Sequence, residues 1–237
     1  MNIKLLQWNI WFKENIDNVI NDLKQINADI VCIQELCMQK DDNSNVEKIK
    51  QLYPYVYYQI ADVFSDGLIQ GNAILSKYEI INEKSYFVQK PSEDKNDYSK
   101  EGRIYLEVDI KIENRILKVG TTHLSYTDKF VETKSKDNEV NELINIIKKN
   151  KNNYIFMGDL NTAKNSKYVN YIKEHLVYYD TDNTWTTKPF SYNGFEETEL
   201  NWKLDYLFSS KDLTIDNIKL YKTNISDHLP ITAEIEL

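Results

Sequence analysis

The sequence predicts an α/β protein in which two β-sheets pack face to face and helices cover their outer faces. Three observations predict it. Apolar runs of strand length recur from one end to the other, only a few segments carry helical spacing, and four prolines and six glycines leave little room for a flexible linker. Many strands with few helices bury their apolar faces most economically sheet against sheet, with the helices outside. At 237 residues the chain reads as one domain, spanning 1–237.

Ile3–Asn9 and Asp29–Gln34 read as strands. Between them Ile16, Val19, Ile20, Leu23 and Ile26 recur at helical spacing and form one apolar face. A weak helical signal surrounds Val46 and Ile49. Tyr55–Ile60, Asn72–Ser76, Glu79–Gln89, Arg103–Ile112 and Ile116–His123 are strand-like; Ile104, Leu106, Val108 and Ile110 share one side of their segment. The aromatic run Tyr53–Tyr58 suits a strand edge, and the polar stretch Ser92–Glu101 a mobile loop beside Arg103. Val140, Leu143, Ile144 and Ile147 form a second helical face, late in a polar stretch that starts near Asp128. Asn153–Gly158 is a strand, Val169 and Ile172 mark a short helix, and Leu204–Ser209, Leu213–Tyr221 and Ile231–Leu237 close the chain as strands.

Composition narrows the function. Hydrophobic residues make up 41% and charged residues 28%, a mix that builds a core and a solvated surface. The longest apolar stretches fall far short of the roughly 20 residues a membrane span needs, and no signal peptide is visible, so a cytoplasmic location is expected. Cys32 lies in the apolar run Ile30–Ile33, and it and Cys37 lack the spacing of a redox or zinc motif. The net charge of −8 counts against avid, sequence-blind binding of duplex nucleic acid.

Chemistry collects at the ends of the strands. Glu35 follows the run Ile30–Gln34, where a bare carboxylate is costly unless paired or holding a cation; it is a candidate ligand for Mg²⁺, with Mn²⁺ as the alternative ion. In Gly158-Asp159-Leu160-Asn161 the two polar side chains are two apart, so in extended chain they point the same way. Asp159 suits the orientation and deprotonation of a water. Asn161 suits a phosphoryl oxygen, where charge builds in the transition state. In Ser226-Asp227-His228-Leu229-Pro230 the proline favours extended backbone ahead of it. His228 is a donor to a phosphate oxygen or leaving group, Asp205 is its candidate acidic partner, and Asp227 is a metal ligand or water-positioner. His123, closing Val119-Gly120-Thr121-Thr122, is the second histidine at a strand end, whereas His175 carries no assignment. Asn9 suits a hydrogen bond to a metal-bound carboxylate or to phosphate, and Arg103 a pairing with phosphate or with the acids.

These motifs carry a resemblance. Trp8-Asn9, Gln34-Glu35, Gly71-Asn72-Ala73-Ile74-Leu75-Ser76, Thr122-His123-Leu124, Gly158-Asp159-Leu160-Asn161, Leu204-Asp205-Tyr206 and Ser226-Asp227-His228-Leu229-Pro230 stand in an order that resembles the endonuclease/exonuclease/phosphatase superfamily, the deoxyribonuclease-I-like fold, from position 8 to 230. The resemblance implies a four-layer α/β sandwich of two mixed sheets. It implies Mg²⁺-dependent phosphoester hydrolysis by in-line attack of water without a covalent intermediate. It also implies Glu35 as principal metal ligand, Asp159 and Asn161 at nucleophile and phosphate, and Asp205 paired with His228. Two positions depart from the pattern. Some members carry an acid two residues after the first Asn, where this chain has Trp11. The abasic-site endonucleases carry Asn-x-Tyr where it has Thr121-Thr122-His123, a histidine more like the deoxyribonuclease, sphingomyelinase and general phosphodiesterase branches.

Fold does not choose the substrate. The expectation is a phosphodiesterase or phosphatase acting on a small or single-stranded phosphoester, with no protein partner and no transmembrane segment. The alternatives are a DNA nuclease or DNA-adduct repair enzyme, and a non-catalytic binding protein on the same fold. The rings Trp185, Phe190, Tyr192, Phe195 and Trp202 are expected mainly to pack their loop onto the sheets, with stacking on bases or an apolar headgroup as the alternative.

Overall fold

The computed structural model describes residues 1–93 and 100–237. Positions 94–99, the middle of the predicted loop, lie outside the described residues.

Local chemistry starts and stops the first elements. Strand β1, Asn2–Asn9, is followed by α1, Ile16–Ile26, whose cap Asn15 accepts a hydrogen bond from the Asp17 amide. Asn27 ends the helix in the left-handed region at φ 51°, a conformation asparagine tolerates better than most residues. An Asn cap of this kind contributes about 1 kcal/mol. Strand β2, Ile30–Gln39, runs five residues past the predicted end at Gln34. Its pairing shifts register between Ile33 and Leu36, and Glu35 sits in that bulge at φ 59°. The weak signal near Val46 is the short helix α2, Ser44–Lys50, with buried Ile49. Strands β3 (Tyr55–Val63), β4 (Leu68–Ser76), β5 (Ile80–Gln89), β6 (Arg103–Ile112) and β7 (Arg115–His123) follow. Helix α3, Lys134–Ile147, starts at a Thr133 cap rather than near Asp128. After it come β8 (Tyr154–Asp159), α4 (Lys167–Lys173) and the short strands β9 (Val177–Tyr179), β10 (Phe190–Tyr192) and β11 (Phe195–Glu197). Strands β12 (Asp205–Ser209), β13 (Ile215–Leu220) and β14 (Ile231–Glu236) complete the order. The three short strands carry too few residues for a period-2 pattern to register.

Two mixed six-stranded sheets result, in the orders β13-β14-β1-β2-β4-β3 and β5-β6-β7-β8-β12-β9. Each has one parallel pair near its centre, β1 with β2 and β7 with β8. The predicted four-layer α/β sandwich is what the chain forms. Ile3, Leu5, Cys32 and Ile74 of the first sheet meet Leu106, Val119, Ile155 and Met157 of the second in one buried cluster. Helices α1 and α2 cover the outer face of the first sheet through Val19, Leu23 and Ile49 against Trp8, Val31 and Ile33. Helices α3 and α4 cover the second through Leu143, Ile147 and Val169 against Tyr154 and Phe156. Each fully buried aliphatic side chain contributes about 1.5–3 kcal/mol, so the inter-sheet cluster is the main force holding the layers in register. Gly158 permits the tight β7–β8 approach, because a Cβ there would lie 2.5 Å from the Thr122 carbonyl oxygen. Among the described residues no helix is long and apolar enough to cross a membrane.

Candidate active site

The two parallel pairs end at the same edge of the sandwich, which is why distant motifs meet. Register sets Asn9 opposite Gln34 in the first pair, and Asp159 opposite both His123 and Asp205 in the second sheet. Behind these tips a buried amide chain ties the sheets together. Gln7 and Gln34 bond to each other, Gln34 Nε2 donates to Thr121 Oγ1 at 2.9 Å, and Gln7 Nε2 reaches Asp205 Oδ1 at 3.3 Å.

Glu35 leaves the bulge pointing into a cleft. Asn9 Nδ2 donates to its Oε1 at 3.1 Å and the Phe12 amide to its Oε2 at 2.8 Å. The side chain is only 15% exposed. Burial raises its pKa, and the negative charge of Asp227 raises it further. Asp227 is half-buried and accepts from Trp185 Nε1 at 3.1 Å. Left-handed backbone at a non-glycine residue is uncommon, and four such residues line this cleft: Trp11 at φ 63°, Glu35 at 59°, Phe130 at 55° and Asn161 at 45°. Strain of this sort gathers at functional sites.

Asp159 is fully buried, its Oδ1 bonded to the Asn161 amide at 2.8 Å and its Oδ2 to Asn9 Nδ2 at 2.9 Å. Asn9 thus bridges the acid of one sheet to the acid of the other. Burial raises the Asp159 pKa, and the charge of His228 partly offsets it. His228 Nδ1 lies 2.8 Å from Asp205 Oδ2, and its Nε2 3.7 Å from Asp159 Oδ2. Burial opposes its charge, but Asp205, Asp159 and Asp227 together raise its pKa to about 10, so it is an imidazolium at neutral pH. Asp159, Asp205 and His228 bring ligand-type atoms within 4.8 Å of one another, a group of the kind that holds a metal.

His123 is held between two donors. Arg103 Nη1 lies 3.3 Å from its Nδ1 and Asn161 Nδ2 2.9 Å from its Nε2. A neutral imidazole accepts at only one nitrogen, and burial, with the charge of Arg103, keeps its pKa well below 6.5. Arg103 is buried; its Nη2 donates to Glu101 at 2.7 Å, and among the described residues its buried Nε has no hydrogen-bond partner.

Every predicted site residue therefore falls at this edge. Glu35, Arg103, His123, Asp159, Asn161, Asp227 and His228 line a cleft of about 700 Å³, and Asn9 and Asp205 stand just behind, bonded to lining residues. His175 lies apart, exposed beyond α4. Several contributors escaped sequence reading. Ser226 Oγ bonds the Asn9 carbonyl at 2.7 Å and receives the His228 amide at 3.0 Å, which locks the last motif onto the first. Trp185 holds Asp227. Lys136, in the first turn of α3, donates to the carbonyls of Ser125, at 2.7 Å, and of Asn161. Nothing in a lone Ser, Trp or Lys marks these partners; only the adjacency of Ser226 to Asp227-His228 offered a signal.

The expectation for the 185–202 rings is met by a modification. Trp185 and Phe195 are buried with Phe130 and Leu204 in a small core of their own, against which Tyr126, Phe190 and Trp202 pack. Tyr126, Phe190 and Tyr192 also form one wall of the cleft, and Trp11 and Phe12 stand at the rim with Lys13 and Lys188; Lys188 Nζ sits 4.2 Å from the centre of the Trp11 ring.

Comparison with known proteins agrees with this geometry. Residues 6–228 match the model of the Endonuclease/Exonuclease/phosphatase family. Among curated proteins no sequence matches. Similar solved structures include an endonuclease/exonuclease/phosphatase from Beutenbergia cavernae, 18% identical with a TM-score of 0.79, covering 100% of this chain and 72% of that one. D. rerio TDP2 complexed with single strand DNA product is 17% identical with a TM-score of 0.72, over 100% of this chain and 99% of that one. A mannosyl-6-phosphatase from Bacteroides thetaiotaomicron is 15% identical with a TM-score of 0.66, over 99% of this chain and 100% of that one. At such identities the likeness shows the fold.

Proposed function

This chain belongs to the endonuclease/exonuclease/phosphatase family, and on that premise we propose that it is a divalent-metal-dependent phosphoester hydrolase acting by in-line attack of water on phosphorus, its residues 1–237 forming one catalytic domain. The observation that carries the reading is the convergence, from residues as far apart as Asn9 and His228, of two amides, two imidazoles and four carboxylates at one cleft.

Glu35 and Asp227 would hold Mg²⁺ or Mn²⁺, hard ions that take oxygen ligands. The residues fit such an ion. Glu35 is held above its ordinary pKa by burial and by Asp227, and its described hydrogen bonds come from neutral amides. The Asp159–Asp205–His228 group is the poorer candidate, since the imidazolium between its carboxylates already supplies the positive charge. When bound, the ion supplies positive charge against the phosphoryl oxygens. The protein's own groups do the rest. Asp159, fixed at both oxygens, orients a water and accepts its proton. His228, fixed by Asp205, donates from Nε2 to a phosphoryl or leaving-group oxygen. One N–H of Asn161 Nδ2 is held by the Leu124 carbonyl, and the other, which meets His123 Nε2, would turn to the same oxygens, while Arg103 holds His123 from behind and adds positive charge.

The substrate we favour is a small or single-stranded phosphoester. A cleft of about 700 Å³ suits a small ligand or one strand end, and ring faces beside Lys13 and Lys188 suit a planar group attached to the phosphate. The nuclease reading draws support from the same aromatic wall and from the DNA product bound by D. rerio TDP2. The free cysteines Cys32 and Cys37 support a reducing, cytoplasmic location.

The test is a panel of nucleic acids, nucleotides, inositol phosphates, sugar phosphates and phospholipids, assayed with Mg²⁺ and with chelator. We expect metal-dependent hydrolysis of at least one, abolished in Glu35→Ala with the melting temperature retained. No turnover of any substrate with any divalent ion would favour a binding protein instead, and full turnover by Glu35→Ala would remove that residue from the mechanism.

A further inference from the structure

We propose that Lys136 is a positioning residue for catalysis: its buried ammonium holds the Asn161 backbone and thereby aims the Asn161 amide into the cleft. The inference rests on the reading above, in that Asn161 is taken to face the phosphoryl oxygens.

Lys136 is 1% exposed, in the first turn of α3. Its Nζ donates to the carbonyl of Ser125, just beyond β7, and to the carbonyl of Asn161, just beyond β8. Asn161 Nδ2 in turn donates to the Leu124 carbonyl at 3.0 Å. Asn161 is thus tied at two points, main chain and side chain, to residues 124–125 and the lysine. Glu139, one turn along α3 and equally buried, completes the clamp by accepting from Ser125 N and Ser125 Oγ, each at 3.0 Å.

A charge is an expensive way to cross-tie two loops. Burial pushes the Lys136 pKa down to about 8, with Glu139 and Asp159 working against the fall, and a buried ion pair is often no more stabilising than well-packed apolar residues. Packing alone does not account for it. Geometry does, because the two carbonyls it joins belong to the segments that follow His123 and Asp159 and carry Asn161 to the cleft. An ammonium binds two carbonyls at once, which an aliphatic side chain at this position does not. The same charge reaches His123, where it adds the least of four contributions, after burial, Arg103 and His228, that oppose protonation.

The experiment is a double-mutant cycle on a substrate identified from the panel, with Lys136→Met, Asn161→Ala and the pair. Lys136→Met should lower kcat about 100-fold with little change in KM, the scale of a misaimed group, and should add almost nothing in the Asn161→Ala background. Lys136→Met with Glu139→Gln keeps the interior neutral and serves if the single variant melts early. A second readout needs no activity. The Asn161 Nδ2H₂ pair in the ¹H–¹⁵N spectrum, identified by its loss in Asn161→Ala, should shift and exchange faster with solvent when Lys136 is replaced. Multiplicative losses in the cycle, or an unmoved amide pair, would overturn the inference. Should the wild type prove inactive on the whole panel, the functional reading falls, and the amide spectrum still decides whether Lys136 holds Asn161.

Discussion

The two sheets bring different kinds of acid to the cleft. The first sheet brings Glu35, set in a bulge, partly open to solvent, bonded to neutral amides and repelled by Asp227. The second brings Asp159, buried in the cleft wall, fixed at both oxygens and facing a positively charged His228 that Asp205 holds in turn. The His228 charge bears strongly on Asp159 and only weakly on Glu35. On the proposed reading this difference assigns the ion to Glu35 and the proton of the attacking water to Asp159.

Removing the internal counter-charge tests this contrast most severely. His228→Ala should lower kcat by about 10²–10³-fold, the usual loss for one charge-stabilising donor, and steady-state kinetics at saturating metal would show it. Retained turnover would erase the distinction between the two acids.

Metal-free stability against pH sharpens the contrast. Glu35 binds its proton more tightly folded than unfolded, so its contribution is complete below its ordinary value of 4.5 and is lost as pH rises through the raised folded value. The melting temperature of the chelated protein should fall over that window, less so in Glu35→Gln, and Mg²⁺ should restore it. His228 contributes fully below 6.5 and loses that contribution as pH rises through about 10, so its replacement should flatten the alkaline side and, by removing its charge from Asp159 and Glu35, move the other limb to higher pH. A near-neutral limb lessened by Glu35→Gln, which Asp159 shares, and an alkaline limb lost with His228 would fit the comparison, and a Glu35→Gln profile identical to the wild type would break it.

The smallest effect is expected at Trp185→Phe, which keeps a ring in the aromatic core but removes the donor to Asp227. A hydrogen bond worth about 1 kcal/mol corresponds to roughly 5-fold, read as a higher Mg²⁺ concentration for half-maximal rate.

Much of this was legible before any coordinates. Each motif ended an apolar run, and strand tips at one edge of a sandwich can only converge or be wasted, so Asn9, Glu35, His123, Asp159, Asn161, Asp205 and His228 were all found from spacing and residue type. What escaped depends on contacts that leave no periodic trace. The end of β2 was read at Gln34 because Glu35 breaks the apolar run, whereas the strand absorbs that residue as a bulge and continues along β4. Lys136 sits among polar neighbours in Lys134-Ser135-Lys136-Asp137 and looks like helix surface, because the Ser125 and Asn161 carbonyls that take up its ammonium leave no mark in its own segment. Trp185 and its fellow rings were placed as packing, and pack they do, but their edge on the cleft depends on a fold of the loop back onto Phe130 that no local rule foretells.

The glutamine pair crossing between the sheets has a wider implication. Each half of the sandwich owns only part of the reacting constellation, and Gln7 rivets them at Asp205. A slip of one layer over the other, a splayed edge or a strand borrowed from a second copy would separate acid from imidazolium while leaving most secondary structure in place. On the proposed function, turnover would report tertiary assembly and fall silent for any conformer whose two layers are out of step.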